Sequence, residues 1–253
     1  MPSKPFYAYS SYTVGFIHAT CEYFGVSLLA DDKIACFMVE KAAEGLITEG
    51  KLIGKQQEGK WMADQLLYFK EDSFEEIAKC CVWLYCKESF VYKKLNEIMR
   101  LDGDEDHALL FQSKVPTLGP FAYLLRNFKL STSLKKSTVY RGDNLSNNLI
   151  GKWQKEKENA RGYYRQLTAF TSTSRSREKA EFMDCNVLFI FDINECFDGY
   201  DVSPFSCLNE EEFLLDPGTL FHIVSCQFDV NKKKWLIHLK SSMLVVMGDI
   251  EIN

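Results

Sequence analysis

Cys207-Leu208-Asn209-Glu210-Glu211-Glu212-Phe213-Leu214-Leu215-Asp216-Pro217-Gly218 runs three carboxylates straight into a short apolar stretch and closes it with a proline-glycine turn. A brief apolar run bounded by turn residues predicts a strand over 211–215. If 210–212 continue that strand, Glu210 and Glu212 project from one face, about 7 Å apart at about 3.3 Å per residue, and Glu211 faces away. On a helix the same spacing would turn the two side chains apart. Like charges on one sheet face cost stability unless a cation or a reaction uses them. An acidic loop leading into a strand is the alternative reading of the same residues.

Working outward, the second half of the chain repeats this texture. Short β-rich runs bounded by polar turns occur at Ser137 to Arg141, Leu167 to Ser172, Val187 to Ile193, Thr219 to Phe228, Lys234 to His238 and Met243 to Met247. Asp229-Val230-Asn231-Lys232 reads as a hairpin turn, and the Lys- and Glu-rich stretch 152–161 as a short helix. From about 30 to 130 the punctuation is helical instead. Asp31 and Asp32 can cap a helix through Leu46 that Gly50 would close. Ser73 and Glu76 form a capping-box pattern ahead of Phe74, Ile77, Cys81, Leu84 and Tyr85. Val91, Leu95 and Ile98 continue the helical spacing to the loop Asp102-Gly103-Asp104, and Phe121, Leu124, Leu125 and Phe128 make a face after Pro116 and Pro120. Helices followed by strands argue for an α+β protein.

The 253 residues are 46% hydrophobic and 26% charged, the composition of a folded globular chain, and 30 basic against 35 acidic residues leave a net charge of −5. That balance argues against a nucleic-acid binder held by phosphate neutralisation. No apolar stretch approaches the roughly 18 to 20 residues of a bilayer span. Nine scattered cysteines and a polar start predict a reduced, cytoplasmic protein, or a secreted one if a leader has been removed. Cys80, Cys81 and Cys86 lie on an amphipathic stretch and read as buried thiols, the acidic loop at 102–106 lacks calcium-loop spacing, and the four histidines form no ligand pattern, so no metal is expected.

Two further motifs sit at strand ends. Val139-Tyr140-Arg141-Gly142 places an arginine fork where it can meet a phosphate, beside a glycine that lets a ligand approach the backbone. Phe170-Thr171-Ser172-Thr173-Ser174 crowds hydroxyls at a strand end, with Arg175 and Arg177 following. Taken singly, the first is most often a surface charge and a turn, and the second a solvated sheet face.

The order Arg-Gly, Ser-Thr-Ser, Glu-x-Glu resembles the arginine-serine-glutamate branch of the mono-ADP-ribosyltransferases. Glu212 to Phe221 is similar to that family's catalytic strand and the strand after it, and Glu88 to Asn96 to its upstream helix, so the resemblance covers about residues 75–241. It implies a split β-sandwich core; residues 1–70 lie outside the resemblance and are read as helical from their pattern, and 1–253 is taken as one catalytic domain with a mainly helical part, 1–130, and a β-rich NAD-binding core, 131–253. The resemblance implies NAD as co-substrate and a protein acceptor with an exposed arginine, with a monomer expected and neither nucleic acid nor membrane as partner. By the same resemblance Arg141, Ser172, Glu210 and Glu212 are catalytic. Arg141 would hold the pyrophosphate and the Gly142 backbone the nicotinamide carboxamide, next to Tyr140. Ser172 would contact the ribose and orient Glu212, with Thr173 and Ser174 supporting. Glu212 would bond the ribose 2′-hydroxyl, and Glu210 would select arginine as acceptor. Phe182 would stack on nicotinamide, and Tyr200 and Phe205 would pack on the target. Hydrolysis of NAD by the same site and a catalytically silent NAD-binding module are the alternatives.

Overall fold

The computed structural model describes residues 6–8, 15–28, 31–87, 89–128, 135–158, 164–182, 184–205 and 211–242. The first strand, β1 (Phe6–Ala8), is followed by six helices: α1 (Phe16–Phe24), α2 (Asp32–Leu52), α3 (Gln56–Tyr68), α4 (Phe74–Cys86), α5 (Phe90–Met99) and α6 (Ala108–Arg126). The remainder alternates β2 (Lys136–Asp143), α7 (Asn147–Glu158), β3 (Tyr164–Leu167), β4 (Thr171–Ser174), α8 (Arg177–Phe182), β5 (Val187–Asn194), α9 (Glu195–Asp198), β6 (Gly199–Asp201), β7 (Glu212–Leu215), β8 (Leu220–Asp229) and β9 (Lys234–Ser241).

The helical caps follow the sequence. Asp31 accepts from the Ile34 N–H at 2.8 Å and Ser73 from the Glu76 N–H at 3.4 Å. Two boundaries differ from expectation. α2 runs through Gly50 to Leu52, because Gly45 and Gly50 are packing positions: a Cβ on Gly45 would lie 1.8 Å from the Thr117 carbonyl oxygen of α6, and one on Gly50 would lie 3.1 Å from Gly59 Cα of α3. Glycine there lets backbones approach where any side chain would force them apart. Likewise α6 begins at Ala108 and contains both Pro116 and Pro120. A proline inside a helix costs about 3 kcal/mol, and burial of Phe111, Val115, Leu118 and Phe121 on the same helix offsets it. At the α2–α6 contact the buried Glu49 carboxylate accepts from Lys114 Nζ at 2.9 Å and from Thr117 Oγ1 at 2.7 Å, so this interior charge is paired.

The strands form one hydrogen-bonded sheet in the order β1-β3-β8-β9-β5-β2-β4-β7-β6, antiparallel except for the parallel β5–β9 pair. The N-terminal region thus supplies a strand as well as helices, and the expected run Leu167 to Ser172 is two strands, β3 and β4, parted by Thr168–Phe170. β2 shares eight paired positions with β5 but only one, Tyr140 with Ser174, with β4. There the sheet splits. Two apolar clusters meet at β7, one on each of its faces. Val139, Phe189, Phe191, Phe213, Leu215, Phe221 and Ile237 pack with Trp153 of α7, whereas Phe170, Tyr200 and Leu214 belong to the cluster of the helical region. The split therefore lies where the helices meet the sheet.

Candidate active site

Strand alternation decides what faces this split. In the β4–β7 register Ser172 pairs with Leu214 and Ser174 with Glu212, so Ser172, Ser174, Glu212 and Leu214 share a face. Leu214 is buried among the helices, which puts Glu212, two residues earlier and half-buried, at their edge. The opposite face carries Thr173 and Phe213. Thr173 is buried, and its Oγ1 donates to the Phe213 carbonyl at 2.7 Å, a bond that ties β4 to β7.

Just beyond the Tyr140–Ser174 pair, Arg141 spans the gap. Its guanidinium donates to the Ser172 carbonyl oxygen at 2.9 Å, and its Nε lies 3.6 Å from Asp143 Oδ2. The backbone acceptor that a continuous β2–β4 ladder would have used is thus served by a side chain. Gly142 is required for packing: a Cβ there would lie 2.5 Å from the Ala180 carbonyl oxygen and 2.9 Å from Cys185 Sγ. α8 and Cys185 close over β2 at this point.

A second cation enters from the helical region. Arg100 caps α5, and its guanidinium is pulled below its ordinary value by burial and by the neighbouring positive charge of Arg141. The Tyr85 phenol is pushed up by burial, with further contributions from Cys86 and from the charge of Glu212. The Tyr85 hydroxyl accepts from Asn96 Nδ2 at 2.6 Å, one helical turn before Arg100, and its ring meets Phe170 at 5.7 Å. Two guanidiniums and two carboxylates, Asp143 and Glu212, therefore converge on the split. Arg100 and Tyr85 were not singled out in the sequence, since an arginine ending a helix and an aromatic on an apolar stripe carry no local mark. The helical spacing Val91, Leu95 and Ile98, which ends one residue short of Arg100 at Met99, was the available signal.

The remaining candidates divide. Ser174 Oγ accepts from the Ser176 N–H at 3.0 Å, turning the chain into α8. Arg175 is occupied: it pairs with Glu195 at 2.6 Å and Asp201 at 3.4 Å and lies 4.9 Å over the Phe213 ring. Burial opposes its charge, yet the two carboxylates raise its pKa overall. Arg177 pairs with Glu181 at 2.8 Å. Tyr140, half-buried, is the residue that pairs with Ser174 at the split. Phe182 ends α8 with its ring 91% exposed. Tyr200 is buried, its hydroxyl donating to the Leu125 carbonyl at 3.0 Å and its ring against Phe128, so it packs sheet to helix and is not at the surface. Phe205, partly buried, also meets Phe128, at 5.6 Å. Glu210 and the expected strand Met243 to Met247 lie outside the described residues. Cys80 and Cys81 are buried thiols, as their stripe predicts, and both are raised by burial, whereas Cys86, expected with them, is only partly buried at the end of α4.

Comparison with known proteins accords with this geometry. The family model described as ART, NAD:arginine ADP-ribosyltransferase, matches residues 50–244. No match was found among curated protein sequences. Among solved structures the chain is similar to the ADP-ribosyltransferase HopU1 of Pseudomonas syringae pv. Tomato DC3000, with 18% identity, TM-score 0.55, and 72% of this chain and 87% of that one covered. It is also similar to Plx2a, an ADP-ribosyltransferase toxin from Paenibacillus larvae, with 19% identity, TM-score 0.50 and coverages of 75% and 96%. A third similar structure is exoenzyme S from Pseudomonas aeruginosa in complex with human 14-3-3 protein beta and bound to carba-NAD, with 17% identity, TM-score 0.50 and coverages of 85% and 92%. With a mixed helix-and-sheet fold of this kind and a family match over most of its length, the chain belongs to the NAD:arginine ADP-ribosyltransferases, whose reaction uses NAD as co-substrate.

Proposed function

We propose that this protein transfers ADP-ribose from NAD to arginine side chains of proteins, with release of nicotinamide, and that Arg141, Ser172, Glu210 and Glu212 carry the reaction. The observation that supports this most is the bond from Arg141 to the Ser172 carbonyl. It seats a cation suited to a pyrophosphate next to the strand whose Ser174 is paired with Glu212.

In this reading Arg141, with Arg100 behind it, binds the two phosphates. Gly142 offers its backbone to the carboxamide, Tyr140 lies beside it, and Phe182 folds over the nicotinamide ring. Ser172 holds the ribose and, with Thr173 and Ser174, fixes the strand beside Glu212. The bond between ribose C1′ and the nicotinamide nitrogen breaks with its electron pair leaving on nicotinamide. Glu212, bonded to the 2′-hydroxyl, stabilises the positive charge left on the ribose. The acceptor's guanidinium nitrogen then bonds to C1′, and Glu210 takes its proton. Phe205 faces the acceptor protein, whereas the burial of Tyr200 removes it from that role. The chain acts as one catalytic unit and a monomer, with no metal and no nucleic acid required.

The test is to incubate the protein with NAD and a model arginine acceptor and to follow nicotinamide and modified arginine by mass spectrometry. Glu212→Gln is expected to lower both products at least about 100-fold, the scale of losing a fixed transition-state charge partner. Glu210→Gln is expected to lower arginine modification much more than nicotinamide release. Free ADP-ribose without modified arginine in the native protein would replace transfer with hydrolysis, and neither product would leave a silent NAD-binding module.

A further inference from the structure

Away from the split, at the seam between helices and sheet, lies a cavity of about 130 Å³. It is lined by Gly15 to His18 at the start of α1, Met99 and Asp102 after α5, Arg126 at the end of α6, Gln166 to Thr168 after β3, and the Pro217–Gly218 turn. Two of its polar side chains, Thr168 and Arg126, are unsatisfied among the described residues. Thr168 is 7% exposed, and its Oγ1 is buried without a hydrogen-bond partner among the described residues. Arg126, half-buried, forms no ion pair or hydrogen bond with any described residue. Gly15 precedes α1 and has no side chain to cap it, so among the described residues the first amides of the helix have no side-chain acceptor. Native interiors pair such groups almost without exception.

We propose that this cavity binds a small oxyanion, carboxylate or phosphate, between the Arg126 guanidinium, the Thr168 hydroxyl and the first amides of α1. The chemistry is complementary. A planar fork, a hydroxyl and a helix N-terminus are three kinds of donor, and an oxyanion offers only acceptors toward them. One acidic group also lines the cavity: Asp102, 9% exposed, whose carboxyl burial pushes up to about 6. In weakly acidic solution part of it is the neutral acid, which donates to an anion instead of repelling it. His18 and Arg126 also line this cavity, and Glu22, Asp104 and Glu105 line the groove that continues from Asp102. The cavity and the catalytic cleft are separate, since Arg100 meets Arg141 on one side while Met99 and Asp102 line the cavity on the other.

The experiment is calorimetric titration of inorganic phosphate, and separately of acetate, into the full chain at pH 6. The expected result is one saturable site for at least one anion that survives Arg141→Gln, weakens at least about tenfold in Arg126→Gln and several-fold in Thr168→Val, the range of a lost charged or neutral hydrogen bond. Which anion binds identifies the ligand class. Thr168→Val keeps the shape of the side chain and is expected to melt no lower than the native protein, because it removes an unpaired buried hydroxyl. Absence of saturation for both anions, binding lost in Arg141→Gln alone, or binding indifferent to Arg126→Gln and Thr168→Val would overturn the proposal. A lower melting temperature of Thr168→Val without anion would do the same, since it would mean that the hydroxyl already has a protein partner.

Discussion

Arg141 donates to the Ser172 carbonyl at 2.9 Å across the gap that opens where β2 and β4 share a single paired position. The phosphate-binding candidate is therefore held by the backbone of the strand that bears the serine motif. Substitution at either end of this contact changes the shape of the cleft as well as its charge.

Arg141→Lys retains the charge and loses the planar fork. The Ser172 carbonyl loses its donor, which costs about 1 kcal/mol of stability. We expect a melting temperature lower by about 2 to 4 °C for a chain of this size, and a KM for NAD raised at least about tenfold, the cost of one charge-assisted bond. Thermal melts and initial rates of nicotinamide release measure the two effects separately.

Gly142→Ala tests the closure of α8 over β2. The new Cβ would meet the Ala180 carbonyl oxygen at 2.5 Å, and backbone cannot swing aside as a side-chain end can. Overpacking of this kind costs about 1 to 3 kcal/mol. The expected outcome is a destabilised protein in which release of nicotinamide falls with the displacement of α8, read by denaturant melts and by activity at a temperature where the variant is folded.

Tyr85→Phe removes one oxygen from the floor of the site while the rings of Phe170 and Tyr92 keep their neighbour. The Asn96 amide, bonded to that oxygen at 2.6 Å, is left buried without an acceptor. The expected destabilisation is about 1 to 3 kcal/mol. Because Asn96 lies one turn before Arg100, the KM for NAD should rise as well. An unchanged melting temperature would mean that the pair contributes nothing.

Asp102 makes a pH prediction with a definite sign. Its carboxyl is raised by burial from 3.8 to about 6 in the folded protein. Below 3.8 it is protonated in both states, and its neutral form is accommodated. As pH rises through 6 the folded state must hold a buried carboxylate, and stability is lost. Asp102→Asn, neutral throughout, should match the native protein near pH 4 and exceed it at pH 7.5 by up to about 3 kcal/mol. Melting curves of the two proteins across that range provide the check.

Much of this site was legible as sequence, for a physical reason. Arg141-Gly142, Ser172-Thr173-Ser174 and Glu212 stand at strand ends, where a period of two residues states which side chains share a face. The buried thiols of α4 and the Ser73 cap were legible for the same kind of reason, being local periodicity and local hydrogen bonding. Gly50 and the two prolines of α6 misled because each is a breaker by propensity alone. Burial against α3, in the one case, and of four large side chains, in the other, outweighs that propensity. Tyr200 misled differently: the resemblance implied contact with the target, and only the approach of α6 covers its ring and supplies the Leu125 carbonyl to which its hydroxyl donates.

By itself, then, the sequence determined the elements and the residue types that chemistry needs, because those depend on neighbours a few positions apart. Tertiary structure alone decided that β2 and β4 part after one pair, that Arg100 arrives beside Arg141, and that Arg175 is already committed to Glu195 and Asp201. Each of these joins residues 20 or more positions apart in the chain, and no spacing along it encodes which charge will meet which.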